Sequence, residues 1–171
     1  MMSGDQVYAD DVAGPMLVAI HQTIEKLGLF DESWQGAVVN DSQGLFNSEL
    51  CYYQREQLLP HNSVNKAVYD KIFAASKKPI FTSVNAKNHL VTFAEVMAMY
   101  ILIWSPEMWA HVDLEQHTVN ELFKEQYQKE KVVIEHFVSG LEDVRRALAN
   151  IPVYMIFDDH DVTDDWNLTR A

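Results

Sequence analysis

A chain of 171 residues, 48% of them apolar, is long enough for one domain with a substantial core and is unlike a disordered tail in composition. A net charge of −12 and a pI near 4.8 argue against a nucleic-acid backbone or an anionic membrane as the main partner, and any phosphorylated substrate would have to be met by cations. The longest uninterrupted apolar run, residues 96–104, is too short to span a bilayer, and the lone Cys51 rules out an internal disulfide.

Met1 and Met2 read as the end of a strand, followed by the polar turn Ser3-Gly4-Asp5-Gln6-Val7-Tyr8-Ala9-Asp10-Asp11. Glycine lets the backbone turn sharply there and leaves Asp5 projecting from the strand tip, with Tyr8 a turn further on. Taken alone, these are also ordinary turn residues, with Tyr8 packing as an aromatic. Gly14-Pro15 opens a helix, with proline at the first helical position and glycine or Asp11 as the cap. Leu17, Ile20, Ile24 and Leu27 give it one buried face, and Gly28 ends it. His21 on this helix reads as an ordinary helical histidine.

Residues 29–61 are irregular, with a helix expected over 48–59 carrying Leu50, Tyr53 and Leu58. Arg55, Lys66 and Lys71 could face phosphate, but scattered basic residues are usually just solvated. A short helix is expected over 64–76 and a short strand over 80–84. Thr92 opens an apolar helix to Trp104 that should be buried, while capping or loop structure accounts for His89. Residues 114–138 read as a long amphipathic helix using Leu122, Phe123, Val133, Ile134 and Phe137, with Glu125 and Lys129 paired and His117 and His136 solvated. After Gly140, residues 141–149 form a final helix.

Pro152 sets off the apolar run 153–157, which reads as a fully buried strand of the parallel-sheet kind. Five of the next eight residues are aspartate (158, 159, 161, 164 and 165), with His160 among them. Open α/β sheets place their sites at such strand ends, and carboxylates this crowded repel unless a cation compensates. A calcium loop fails on spacing, since Asp164 stands at the glycine position and Arg170 at the closing glutamate. The bland alternative is a solvated acidic turn.

Together, the two turns give the chain a resemblance to the PhoD-like alkaline phosphatases of the metallophosphoesterase superfamily. That superfamily carries its ligands in ordered blocks: Asp-x-His, Gly-Asp-x-x-Asp/Tyr, Gly-Asn-His-Asp/Glu, a lone His, and Gly-His-x-His. Gly4-Asp5-Gln6-Val7-Tyr8 matches the second block, and Asp158-Asp159-His160-Asp161 the third in its PhoD-like form. The resemblance implies an α/β fold: a partial metallophosphoesterase-type sheet with a large helical insertion, about residues 29–150, between the ligand-bearing turns.

It further implies that Asp5 bridges two metal ions, Tyr8 ligates one as a phenolate, Asp159 ligates the other, and His160 orients the phosphate or protonates the leaving oxygen. The ions would be Fe, Ca, Mn or Zn, and the substrate a phosphate monoester or diester. Asp158, Asp161, Asp164 and Asp165 would be supporting or turn-forming, and Trp166 would pack the loop down. No Asp-x-His precedes Gly4 and no Gly-His-x-His follows Arg170, so the expectation is an internal fragment of a longer enzyme, weak in metal binding and turnover by itself. No export signal is visible, which leaves localisation open. The alternative is a non-catalytic helical interaction or cap module with acidic turns.

Overall fold

The Gly14–Leu27 segment meets the requirements of a buried helix, with apolar residues on most sides and a glycine stop. In the computed structural model, which describes residues 2–10, 12–59, 86–115 and 119–163, it is helix α1 and the centre of the core. Met16, Leu17, Ala19, Ile20 and Ile24 pack with Ala94, Ala98, Met99 and Leu102 of the helix Phe93–Trp104 (α3) and with Ile134 of the helix Lys124–Asn150 (α4). A short helix, α2 (Ser42–Phe46), lies between α1 and α3, capped by Asp41 accepting from the Gly44 amide. The expected helix 64–76, the strand 80–84, Lys66, Lys71, His117, Asp164, Asp165 and Trp166 lie outside the described residues.

The stop of α1 is as read: Gly28 adopts φ +62°, the left-handed conformation that suits glycine, and donates to the last-turn carbonyls. Its start is different. The helix begins at Gly14 with Pro15 second, and the capping residue is Ala13, whose side chain offers no acceptor. The orphan Gly14 amide donates instead to Glu130 Oε2 of α4 at 2.8 Å, and the Tyr53 hydroxyl donates to the same oxygen at 2.7 Å. A Cβ on Gly14 would sit 2.1 Å from that hydroxyl, so the glycine answers a packing demand.

The helix α3 opens with a capping box, in which Thr92 Oγ1 accepts from the Glu95 amide and Glu95 Oε2 from the Thr92 amide. Its buried face is Ala94, Glu95, Ala98, Met99 and Leu102, whereas Phe93 and Met97 are exposed. Residues 48–59 do not form the expected α-helix; turns and one 3₁₀ turn, Arg55–Gln57, occupy that span. Its residues are held by partners elsewhere, the Tyr53 amide donating to Asn88 Oδ1 at 2.6 Å and the Arg55 amide to the Lys87 carbonyl at 3.0 Å.

The long amphipathic helix begins ten residues later than expected, at Lys124 after the 3₁₀ turn Glu121–Phe123, and continues unbroken through Gly140 to Asn150. Only Tyr127, Ile134 and Leu141 are buried on it, one per seven residues, so α4 rests on the core along a narrow line. The expected surface pair forms, Lys129 Nζ to Glu125 at 2.7 Å, and His136 is exposed.

The apolar run near the C-terminus is not buried. Its strand, β2, is only Met155–Ile156 and pairs in parallel with β1, Met2–Ser3, with Met2 opposite Met155 and Ser3 opposite Ile156. Tyr154 is 71% exposed and Phe157 53%, because among the described residues no further strand and no covering layer lies against this two-stranded ribbon. No described helix is long and apolar enough to cross a membrane.

Candidate functional site

The ribbon joins the two ends of the sequence. The Met2 amide donates to the Tyr154 carbonyl at 2.8 Å and the Gly4 amide to the Ile156 carbonyl at 3.1 Å, so both strands run out at the same edge and both acidic turns leave from it. Gly4, at φ +82°, lets the first turn fold over the second, and an added Cβ would lie 2.6 Å from Asp158 Oδ2. Asp5 is itself left-handed at φ +43°, a conformation aspartate tolerates better than most residues.

The second turn is a 3₁₀ turn, Asp159–Asp161, capped at Asp158, whose side chain accepts from the Asp159 amide at 3.0 Å. Asp161 ties the two turns together. Its Oδ1 accepts from the Val7 amide at 3.0 Å and the Tyr100 hydroxyl at 2.5 Å; its Oδ2 accepts from the Asp158 amide at 2.9 Å and more weakly from the Gln6 amide at 3.4 Å. A fully buried carboxylate with four donors is satisfied by them, and it locks residues 155 positions apart into one geometry. Burial and the bond to Asp161 push the Tyr100 hydroxyl above its ordinary pKa.

This arrangement brings Asp5, Asp158 and Asp159 together, with one oxygen from each lying within 4.8 Å of the others. Asp5 and Asp158 are exposed and Asp159 is partly so. The Tyr8 hydroxyl donates to Asp5 Oδ2 at 3.4 Å, and the Asp5 carboxylate is the main cause that holds its pKa above the ordinary value. The Tyr8 ring packs on His160, with centroids 4.6 Å apart. His160 Nδ1 lies 3.1 Å from Asp10 Oδ1, and the Ala9 amide donates to the His160 carbonyl at 2.9 Å.

The four residues expected from the sequence, Asp5, Tyr8, Asp159 and His160, therefore occupy one surface. Asp158, expected only to support the turn, also offers an oxygen to the acidic group. Asp10 belongs to the first polar turn, but nothing in its spacing marks a role for it; only the fold places it beside His160. Three carboxylates are a donor set for one hard cation, which takes six to eight oxygens, and Tyr8 adds a fourth oxygen beside Asp5.

A second polar cluster lies inside the core. Arg55, fully buried, donates from Nη2 to Glu95 Oε1 at 2.5 Å and from Nη1 to the His89 carbonyl at 2.7 Å. His21 Nε2 lies 2.8 Å from the same Glu95 oxygen, and His21 Nδ1 2.9 Å from the Tyr52 hydroxyl. Arg55 is thus no solvated cation facing phosphate, and His21 is no solitary helical histidine. Arg55 and His21 outweigh burial to hold the Glu95 carboxyl far below its usual range, whereas burial outweighs Glu95 to lower the pKa of His21. The cluster joins α1, α3 and the 48–59 segment, and its members bond to one another and to the backbone, so it reads as a fastening.

Comparison of the chain with family models, with curated proteins and with solved structures finds no match.

Proposed function

We propose that this chain belongs to a PhoD-like metallophosphoesterase of α/β class and contributes two of that family's five ligand blocks to a metal-dependent phosphoric ester hydrolase. One observation carries the reading: acidic turns more than 150 residues apart in sequence leave the same edge of a parallel strand pair and bring Asp5, Asp158 and Asp159 within 4.8 Å. Crowded carboxylates repel, and a multivalent cation is the simplest compensation. Asp5, Asp159 and Tyr8 would hold the metal ions, with Asp158 beside them. Metal bound there would supply an activated water and neutralise charge developing at phosphorus. His160, held against Tyr8 and Asp10, would meet a phosphate oxygen.

The test is a Mn²⁺ titration of the 171-residue chain, following free Mn²⁺ by its paramagnetic resonance. Weak binding is expected in the wild type, and none at this site after Asp5→Ala with Asp159→Ala. Equal binding by the double variant would remove the reading's support. A non-catalytic helical module with acidic turns is the second reading, favoured by the helical bulk and by the exposure of Asp5 and Asp158. It predicts that same equality. Robust turnover of a chromogenic phosphate ester by this chain, lost on Asp159→Ala, would instead show that the two blocks suffice.

A further inference from the structure

The helix α4 carries more apolar surface than its contact with the core uses. Its buried line is Tyr127, Ile134 and Leu141, and a surface helix resting on one such line is ordinarily polar elsewhere. A second apolar line runs beside the first: Val133, Phe137, Gly140, Val144 and Ala147, with Ile151 just past the helix end. All six are exposed, Val133 at 65% and Ile151 at 60%. They alternate at four- and three-residue spacing along residues 133–151, which is the heptad pattern of one helix seated along another. Exposed apolar residues scattered singly need no explanation, but a periodic line of them does. Phe137 is already held at its edge by Trp109, with ring centroids 6.5 Å apart.

We propose that this line is the contact surface for a second copy of the chain, seated antiparallel on the first about a two-fold axis level with Glu142. Two features favour a copy of itself. The line is self-complementary, as a two-fold contact must be: about that axis Phe137 faces the partner's Ala147, Val144 faces the partner's Gly140 and Val133 faces the partner's Ile151. A large residue thus meets a small one in both central layers, and Gly140 has open space where a Cβ would stand. The second feature is charge. A chain at −12 repels its own copy over most of its surface, whereas residues 132–151 set Glu135, Glu142 and Asp143 against Arg145 and Arg146, a net −1. Near the axis Asp143 meets the partner's Asp143, and Arg146 lies 3.6 Å from Asp143 within each copy, so these four charges cancel.

Size sets the strength. Nineteen helical residues make a strip about 28 Å long and about 10 Å wide, well under the roughly 800 Å² per partner of a standard interface. The dimer is therefore weak and reversible. It does not depend on the phosphatase reading.

The experiment is sedimentation equilibrium of the 171-residue chain from about 10 µM to about 1 mM, the range of weak complexes, with EDTA present so that metal cannot bridge the acidic turns of two copies. The weight-average mass of the wild type should climb with concentration from 19.7 kDa towards twice that value. Val133→Gln with Val144→Gln leaves the charge unchanged and keeps good helix formers, and it should stay monomeric throughout with the wild-type urea midpoint at the lowest concentration. Val144→Gln alone, the milder change, should weaken association at least several-fold. Tyr154→Gln with Ile156→Gln, on the exposed face of the strand ribbon, should associate as the wild type does. A wild type that is monomeric at every concentration overturns the proposal. So does equal association by the Val133/Val144 variant, or a dimer abolished by the ribbon variant in its place. The mass is read without metal or substrate, so failure of the phosphatase reading in the Mn²⁺ titration would leave this result standing.

Discussion

At the scale of single residues, two buried charged groups carry unusual weight. Arg55 has no solvent to fall back on, and removing it would leave Glu95 a buried carboxylate without its guanidinium partner. Arg55→Met should therefore cost about 3–5 kcal/mol in urea unfolding, with a smaller loss when Glu95→Gln accompanies it, because breaking a buried pair is worse than replacing it. Gly4 is constrained twice, by its positive φ and by Asp158 against its α-carbon. Gly4→Ala should lower stability by about 1–3 kcal/mol and shift the amide resonances of Asp158 and Asp159. A cost below a few tenths, with those resonances unmoved, would show that the turns are not in contact as described. Along the sequence Arg55 is one scattered cation, because a sequence shows a charge and not its partner; Glu95 lies 40 positions away and the ion pair exists only in space.

At the scale of elements, the helices were legible where local chemistry decides them. Thr92 and Glu95 spell a capping box, and the pattern of α1 with its glycine stop was sufficient to place that helix. Gly140 misled because a glycine inside a helix costs only about 1 kcal/mol relative to alanine, too little to break a helix already anchored at Ile134 and Leu141. Among the described residues, no atom outside the helix's own backbone and the adjoining residues lies within 4 Å of a Cβ built there, so Gly140→Ala should raise the unfolding free energy by about 1 kcal/mol. An unchanged or lower midpoint would argue that the helix is broken there in solution. Leu141→Ala, on the buried line of the same helix, should cost about 2–5 kcal/mol. The strand expected over 153–157 is only Met155–Ile156 and lies exposed, since an apolar run cannot say whether anything covers it.

At the scale of the whole molecule, the buried polar groups predict acid sensitivity. Burial lowers the His89 pKa from 6.5 to about 4. The unfolded chain takes up that proton below pH 6.5 while the folded one resists it to about pH 4. Stability is therefore complete above pH 6.5 and falls across that window, by about 3 kcal/mol from this group alone. His21, lowered in the same direction, adds to the fall, and Glu95, with its depressed pKa, extends the loss below the ordinary carboxylate range. Urea midpoints measured from pH 7.5 to 4.5 should decline, and less steeply in His89→Gln; a flat profile would contradict the burial of these groups.

Local physics determined a good deal from the residues alone: the stop of α1, the start and stop of α3, the sharp bend at Gly4, and two aspartate-bearing turns. These depend on neighbours within a few positions, which a linear reading contains. What lay beyond it was every contact between distant positions: Glu130 capping α1, Arg55 paired with Glu95, Asp10 beneath His160, and Asp161 lashing Val7 to Asp158. Each joins segments from 40 to more than 150 residues apart. Which acceptor satisfies a given donor at that separation is chosen by the packing of the intervening helices, and no spacing along the chain encodes it.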